Sequence, residues 1–313
     1  MKYTVLILFL SLAFYSEAIF SQELSYNIKH YKINSGLSQN TVMSIYQDSK
    51  GFIWAGTKNG LNRFDGSNFK VYQRGDLPGD LKNSIIFSIK EDKTKRLWIA
   101  TDKGISLYDP FTERFSTFDL KTIEQETISG YVNEIFIDHL DRVWIRSNTG
   151  LYIYIDKENK LFCLNEKFRS YVGTSIPSAF YVDDNGIAYI SFPKIGILKY
   201  NFVTQEVDLL TSFTYSPTAM SEYNDSYMLV GTLNRGLYFV NKITGTTKKI
   251  PIYNPRNSDI YVRTIEKISD TEYWVGTESG IYILQGEQIH HLAHDPHDNL
   301  SLSDNSIYSI FRV

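Results

Sequence analysis

Polar and apolar residues alternate with a period of two in many short segments of this chain. The first set of such segments falls near Val42–Gln47, Phe52–Thr57, Leu61–Asp65 and Phe69–Gln73, with turn-forming residues between them. Alternation of this kind, with heavy use of Tyr, Phe, Ile and Val, predicts half-buried β-strands. No sustained helical period follows the N-terminal region, so the pattern predicts an all-β fold.

The four-strand pattern repeats along the chain. Its second strand carries a large residue, at positions Trp54, Trp98, Trp144, Tyr189, Leu229 and Trp274, so the period is 40 to 46 residues. A Gly followed by Leu or Ile comes six or seven residues later in every copy, at Gly60, Gly104, Gly150, Gly196, Gly236 and Gly280. A four-stranded antiparallel unit with this period is typical of a β-propeller blade.

A third mark is an Asp six residues before the large residue, at Asp48, Asp92, Asp138 and Asp183. In the first and fourth copies a Gly follows three residues after the Asp, at Gly51 and Gly186. Asp can bond its own backbone, and Gly accepts a positive φ, so this spacing predicts a tight hairpin turn between the first two strands.

The four Trp residues have two interpretations. Blades of a propeller pack face to face, so Trp54, Trp98, Trp144 and Trp274 fit the large apolar wedges that must fill the space between neighbours. The alternative is that they stack on a ligand. Copies four and five carry Tyr189 and Leu229 instead, which puts uniform blade packing in doubt there.

Blades are expected to start near residues 40, 84, 130, 175, 216, 260 and 305, so six are complete and the seventh is incomplete. The segment 303–311 matches 38–46, and the segment 26–33 precedes the first inner strand as an outer strand would. We therefore predict a propeller over 22–313 in which strand 26–33 closes the last blade and removes an open edge. Because two strands of blade seven are missing, we expect a truncated chain or an excerpt of a longer one.

Residues 1–21 form a separate unit. A short apolar run follows Lys2, and small residues come next, which is the pattern of a secretory signal peptide; cleavage after Ala18 or after Ser21 fits equally well. The mature chain is therefore expected to be exported, which in a Gram-negative cell means the periplasm.

Composition excludes several classes of function. Lys and Arg total 32 against 35 for Asp and Glu, a net charge of −3, so the chain lacks the basic balance of a nucleic-acid-binding protein. The single cysteine, Cys163, excludes an internal disulfide framework and a Cys-rich zinc site. We expect no cofactor.

The sequence Trp-Ala-Gly-Thr-Lys-Asn-Gly-Leu-Asn-Arg-Phe-Asp over 54–65 resembles the repeat of the two-component regulator propeller family. The resemblance extends over about residues 24 to 313, and the segments 34–40 and 294–305 are similar to that family's segments before a new blade. It implies the N-terminal periplasmic propeller of a hybrid two-component sensor histidine kinase/response regulator.

The resemblance further implies a homodimeric receptor with a second propeller, a small β-sandwich and a membrane helix. Such receptors sense oligosaccharide fragments and regulate polysaccharide utilisation. The segment itself is expected to bind a ligand and not to catalyse; a full-length parent would be a histidine kinase, but this segment contains no kinase region. The alternatives are a secreted propeller enzyme, a hydrolase or lyase acting on polysaccharide, and a protein-interaction scaffold.

Residues that break the repeat are the best candidates for ligand binding, because residues common to all blades serve packing and turning. They occur in the loops that join strand two to three and strand four to the next strand one, where propellers commonly bind ligands. The favoured six are Lys58, Asn59, Lys103, Asn148, Arg235 and Arg263. Further polar residues in these loops are Asp102, Lys194, Asn234, Glu278, Asn40, Lys82, Asn83 and Asn133.

Arg and Lys could pair with carboxylates or sulfates of an acidic sugar, and Asn could bond hydroxyl groups. For any one of these residues the alternative is a solvated loop position. Four histidines, His290, His291, His294 and His297, raise the question of a metal site. We favour a loop between blades six and seven with no metal, because no rigid element fixes their geometry there.

Overall fold

The computed structural model describes residues 26–119, 121–123, 127–128, 130–254, 256 and 258–313. Within these residues the chain forms six four-stranded antiparallel sheets, so the predicted all-β propeller with six complete blades is confirmed. The predicted signal peptide, 1–21, lies outside the described residues. No helix in the described ranges is long and apolar enough to cross a bilayer.

The strands follow the chain four to a blade. In order they are β1 (Val42–Gln47), β2 (Ile53–Thr57), β3 (Gly60–Phe64), β4 (Phe69–Tyr72), β5 (Ile86–Glu91), β6 (Leu97–Thr101), β7 (Gly104–Asp109), β8 (Arg114–Phe118), β9 (Val132–Ile137), β10 (Arg142–Ser147), β11 (Gly150–Ile155), β12 (Lys160–Cys163), β13 (Ala179–Val182), β14 (Ile187–Phe192), β15 (Gly196–Asn201), β16 (Val207–Ser212), β17 (Pro217–Glu222), β18 (Tyr227–Thr232), β19 (Leu237–Asn241), β20 (Thr247–Ile250), β21 (Val262–Lys267), β22 (Glu272–Thr277), β23 (Gly280–Gln285) and β24 (Gln288–Leu292).

The first strand of each blade is innermost. Strands pair in chain order within a sheet, and first strands of consecutive blades contact one another, as β1 does with β5 and β17 with β21. Each inner strand therefore has a strand partner on one side only, and the inner strands surround the axis of the ring.

One helix departs from the all-strand prediction. Helix α1 (Asn165–Val172) lies in the connection between blades three and four. Phe168 and Val172 bury its apolar side against the core of those blades. The sequence analysis was wrong here because eight residues are too few to produce a sustained helical period.

In blades one to three, the hairpin turn between the first two strands is bonded to the Trp of the second strand. In blade one, Oδ1 of Asp48 accepts hydrogen bonds from the backbone N–H groups of Lys50 and Phe52, as the sequence predicts for a turn. Its Oδ2 accepts the indole N–H of Trp54 at 2.7 Å, a bond that the sequence analysis missed. The same pair recurs as Asp92 with Trp98 and Asp138 with Trp144, both at 2.8 Å.

The Trp rings of the first three blades lie between neighbouring blades. Trp54, Trp98 and Trp144 are fully buried. Each contacts an aromatic ring of the following blade: Tyr108 at 5.0 Å, Tyr154 at 5.4 Å and Phe180 at 6.1 Å between ring centroids, respectively. Because these three rings are enclosed, a ligand cannot stack on them.

Neighbouring blades approach closely beside Gly56 and Gly231, which are the third residues of Trp-Ala-Gly-Thr and Leu-Val-Gly-Thr. A Cβ on Gly56 would lie 2.5 Å from Cγ2 of Ile86 in the next inner strand, and a Cβ on Gly231 would lie 2.3 Å from Cγ1 of Val262. Real Cβ atoms do not approach so closely, so at these two positions only glycine fits against the inner strand of the next blade.

Residues 305–311 lie beside β21 on one side and β1 on the other. The N–H of Ile307 donates to the carbonyl of Thr277 at 2.8 Å, and the N–H of Ile45 donates to Oγ of Ser309 at 3.3 Å. The second contact matches that of Ser88 with the N–H of Ile135, between blades two and three. This segment thus uses the same contacts as an inner strand.

The strand predicted over 26–33 is not formed. Residues 26–32 have no sheet partner within the described chain, and Ile33–Ser35 form a short 3-10 turn. An outer strand pairs with the third strand of its blade, and none lies beside this segment in the described residues. The segment still packs against the ring, since Tyr26 meets Trp274 edge-on at 5.4 Å and Tyr31 meets Phe64 at 4.9 Å.

The histidines divide between a strand and a loop, so the expectation that all four lie in a loop was wrong. His290 and His291 belong to β24, where His291 stacks on Tyr282 with 4.3 Å between ring centroids. His294 follows the strand, and its Nδ1 bonds the carbonyl of Leu302 at 2.6 Å. Among the described residues, no three His, Cys, Asp or Glu side chains are grouped so as to hold a metal ion.

The different surroundings of the Trp residues predict unequal losses of stability. Trp98→Ala should lower the free energy of unfolding by about 3–5 kcal/mol, because it removes a fully buried ring from between two blades. Trp274→Ala should cost about 1–2 kcal/mol, because that ring is only half-buried. Urea unfolding followed by tyrosine fluorescence measures both; equal losses would refute the wedge assignment.

The histidine geometry predicts that zinc does not stabilise the protein. Tm measured with and without excess Zn²⁺ should be the same, because Nδ1 of His294 bonds the backbone carbonyl of Leu302 and Nε2 of His291 bonds that of Ser279. A rise in Tm that disappears in the double variant His294→Asn/His297→Asn would instead demonstrate a metal site.

Candidate functional site

Five of the six favoured ligand-binding candidates occupy turns between the second and third strands of their blades. In a meander of antiparallel strands, these turns lie at the same end of the ring as the connections between blades. We call this end the loop face. All five of these candidates are exposed there: Lys58, Asn59, Lys103, Asn148 and Arg235.

Arg263, the sixth candidate, is the second residue of β21 and lies where the inner strand leaves the loop face. Its guanidinium stacks between two rings, with Tyr261 at 4.3 Å and Tyr308 at 4.6 Å from the ring centroids. Its Nε is buried, and no hydrogen-bond partner for it is present among the described residues. The cation is therefore oriented by aromatic contacts rather than by a carboxylate.

Arg235 lies within a second cluster of cations and rings on the loop face. Its guanidinium is 5.6 Å from the ring of Tyr215 and 3.8 Å from the carboxylate of Asp259. Lys249 pairs with the same carboxylate. Tyr215 in turn stacks on Tyr238, and burial together with Tyr215 raises the pKa of Tyr238 to about 12.

Sequence reasoning did not find the partners in this cluster. Asp259, Lys249 and Tyr215 lie in an outer strand or in the connections between blades, where the repeat gives no fixed position for comparison. The exposed ring of Tyr215 and the flanking cations form an amphipathic surface suited to a sugar, whose ring presents C–H groups and whose edge presents hydroxyls.

Other predicted residues are separated around the rim or have structural contacts. Lys58, Lys103 and Asn148 belong to three different blades. Lys82 donates to the backbone carbonyl of Leu77 at 2.7 Å, so it holds its own loop in place. Asn40 has a comparable local role, accepting a hydrogen bond from a backbone N–H of the N-terminal segment.

A cavity of about 430 Å³ runs along the axis of the ring. It is lined by the inner strands of all six blades and by residues 308–311. Two predicted residues, Asn133 and Arg263, belong to its wall. Four charged residues that the sequence analysis did not select also line it: Lys90, Glu134, Arg146 and Glu266.

The charges in this axial cavity are unequally paired. Nε of Arg146 bonds the carboxylate of Glu134 at 3.0 Å. Lys90 has no carboxylate within 4.0 Å in the described residues, and its ammonium lies 5.6 Å from the ring centroid of Tyr46. Burial lowers the pKa of Lys90 and raises the pKa of Glu266, because the surrounding protein disfavours both charged forms.

The sheet register reveals the signal that could have found these residues. Lys90 lies opposite Trp98 on the neighbouring strand, and Glu266 lies opposite Trp274. Tyr46 has the same position opposite Trp54 in blade one. Arg146 lies opposite Glu134 in the sheet. In blade one, Gly56 is the equivalent of Arg146, and Ser44 is the equivalent of Glu134. Aligning copies by inner strand as well as by the Trp segment would have shown these four repeat-breaking charges.

Comparison with known proteins supports the repeat assignment. The sequence model of the family described as two component regulator propeller matches residues 36–59 and 80–103. Histidine kinase P4 of Formosa agariphila is 39% identical over 61 residues, which is 20% of this chain and 4% of that protein. The matched part is thus a small fraction of that relative's length.

Solved structures share the fold at low sequence identity. An extracellular domain described as part of a hybrid two-component system, BT3049 of B. thetaiotaomicron, superposes with a TM-score of 0.78 at 23% identity, over 92% of this chain and 39% of that one. The corresponding domain of BT4673 from the same organism gives 0.74 at 20% identity, over 92% and 37%. These structures share the propeller fold of this chain, and the segments 36–59 and 80–103 match the repeat of the two-component regulator propeller family.

Proposed function

We propose that this chain is an extracytoplasmic ligand-binding propeller of a hybrid two-component receptor and that it senses glycan fragments. The observation that carries the proposal is the cluster on the loop face, where Arg235 and Lys249 flank exposed tyrosine rings. Rings that stack on a sugar face, beside cations that pair with a carboxylate or sulfate, favour an acidic oligosaccharide.

The receptor context of the proposal rests on the comparisons. BT3049 and BT4673 are described as extracellular domains of hybrid two-component systems, and this chain spans 39% and 37% of those chains. We infer that the propeller lies outside the cytoplasm, in the periplasm, and acts with further domains of a homodimeric receptor. Ligand binding at the loop face would then change the arrangement of those domains and so signal to the rest of the receptor.

The two other functional classes make different predictions for the same protein. A secreted propeller enzyme would release products from a polysaccharide, whereas a sensor binds sugar saturably without turnover. A protein-interaction scaffold would do neither. The carboxylates shared by several blades, such as Asp48, are bonded within their own turns, which favours binding over catalysis.

The loop-face proposal predicts a loss of binding when two of its cations are removed. Arg235→Ala/Arg263→Ala should raise Kd for an acidic oligosaccharide about tenfold or more, because each Arg can pair with a charged group of the ligand. Isothermal titration calorimetry against a panel of oligogalacturonates and sulfated oligosaccharides provides the measurement.

A matched control removes two cations from the opposite end of the ring. Lys50 and Lys157 are exposed and lie in turns at that end, so Lys50→Ala/Lys157→Ala should leave Kd unchanged. If the Arg double variant left the affinity for every bound glycan unaltered, the loop-face assignment would be wrong. Turnover of the glycan would show that the protein is an enzyme and not a sensor.

A further inference from the structure

The axial cavity carries charges that the propeller fold does not require. Blade one shows what the fold needs at these positions, since Tyr46 and Gly56 fill them there. In blades two, three and six, the equivalent positions hold Lys90, Arg146 and Glu266. All three side chains line the same cavity.

Charges placed inside a protein are costly unless they are paired. Arg146 has Glu134 as its partner at 3.0 Å. Lys90 interacts electrostatically with Glu266 and Glu134, but within the described residues it forms an ion pair with neither. Among the charged groups of the cavity wall, cations outnumber carboxylates by three to two. An anionic group beside Lys90 would complete this arrangement.

The rest of the cavity wall suits hydroxyl groups. Each inner strand is bonded to a second strand on one side only, so backbone N–H and C=O groups of the other edge face the axis. Those that are not bonded to a side chain of the neighbouring blade, as the N–H of Ile45 and of Ile135 are, can hydrogen-bond sugar hydroxyls. A volume of about 430 Å³ lies within the range of small-molecule sites and can hold a single sugar residue.

We propose that the axial cavity is a binding site, distinct from the loop-face cluster, for a small polyhydroxylated anion with the chemistry of one uronate residue. Lys90 supplies the counter-charge for the carboxylate, and Glu266 opposes it. Arg263 and Tyr308, where the cavity meets the loop face, mark the entrance. The choice of a sugar acid rests on the proposed glycan-sensing function.

Two variants with opposite expected effects test the site. The probes are D-galacturonate and D-glucuronate, with galactose and glucose as neutral counterparts, titrated calorimetrically into the purified protein. Lys90→Gln should raise Kd for the uronates about tenfold or more by removing the counter-charge, whereas Glu266→Gln should lower Kd by removing repulsion. A variant that simply misfolds cannot bind more tightly, so the second variant separates a charge effect from a folding defect.

Lys50→Gln provides the matched control, because Lys50 is an exposed cation in a turn at the end of the ring opposite the loop face. It should leave uronate binding unchanged. The proposal is overturned if neither uronate binds, if neutral sugars bind equally well, or if Lys90→Gln leaves Kd unaltered.

The experiment also separates this proposal from the loop-face function. Oligosaccharide binding that depends on Arg235, without binding of single uronates, would retain the loop-face function and reject the cavity site. Uronate binding that depends on Lys90 but not on Arg235 would support the cavity site, even if no oligosaccharide bound the loop face.

Discussion

The hydrogen bond between the turn aspartate and the tryptophan indole is the interaction on which the ring depends. One carboxylate closes the hairpin between the first two strands with Oδ1 and holds the indole N–H with Oδ2, as Asp48 does for Trp54. The indole ring then fills the space between its own blade and the next. A local turn and the packing between blades are therefore fixed by the same side chain.

Blade six shows the consequence of losing this bond. The position six residues before Trp274 is Ile268 instead of an aspartate, and the indole N–H of Trp274 donates to Glu272, at 2.6 Å within the same strand. The ring is half-buried, and Tyr26 of the N-terminal segment contacts it. Residues 305–311 then continue the ring of inner strands between blade six and blade one.

Features that recur could be predicted from the sequence, because at least four of the six copies provide independent evidence for each. The blades, the hairpin turns and the phase of the strands followed from the positions of Asp, Trp and Gly. Helix α1 and the cluster of Arg235 with Asp259 could not be predicted, because each occurs once and depends on which loops meet in space. Lys90 and Glu266 were missed since only the sheet register places them opposite the Trp residues.

In this molecule, residues that recur from blade to blade stabilise the fold, and charged residues that break the repeat are the candidates for function. Repeated residues hold blades together, whereas Lys90, Arg146 and Glu266 replace repeated residues where packing alone would favour Gly or an aromatic ring. The loop-face cluster follows the same logic, because Arg235 and Tyr215 have no common equivalent among the blades.

The most direct measurement of the central interaction is hydrogen exchange of the four indole N–H groups by NMR. We expect slow exchange for Trp54, Trp98 and Trp144, whose N–H groups are buried and bonded to turn aspartates. The N–H of Trp274 should exchange much faster. If the N–H groups of Trp54, Trp98 and Trp144 exchanged as fast as that of Trp274, the central role of the bond between turn aspartate and indole would be wrong.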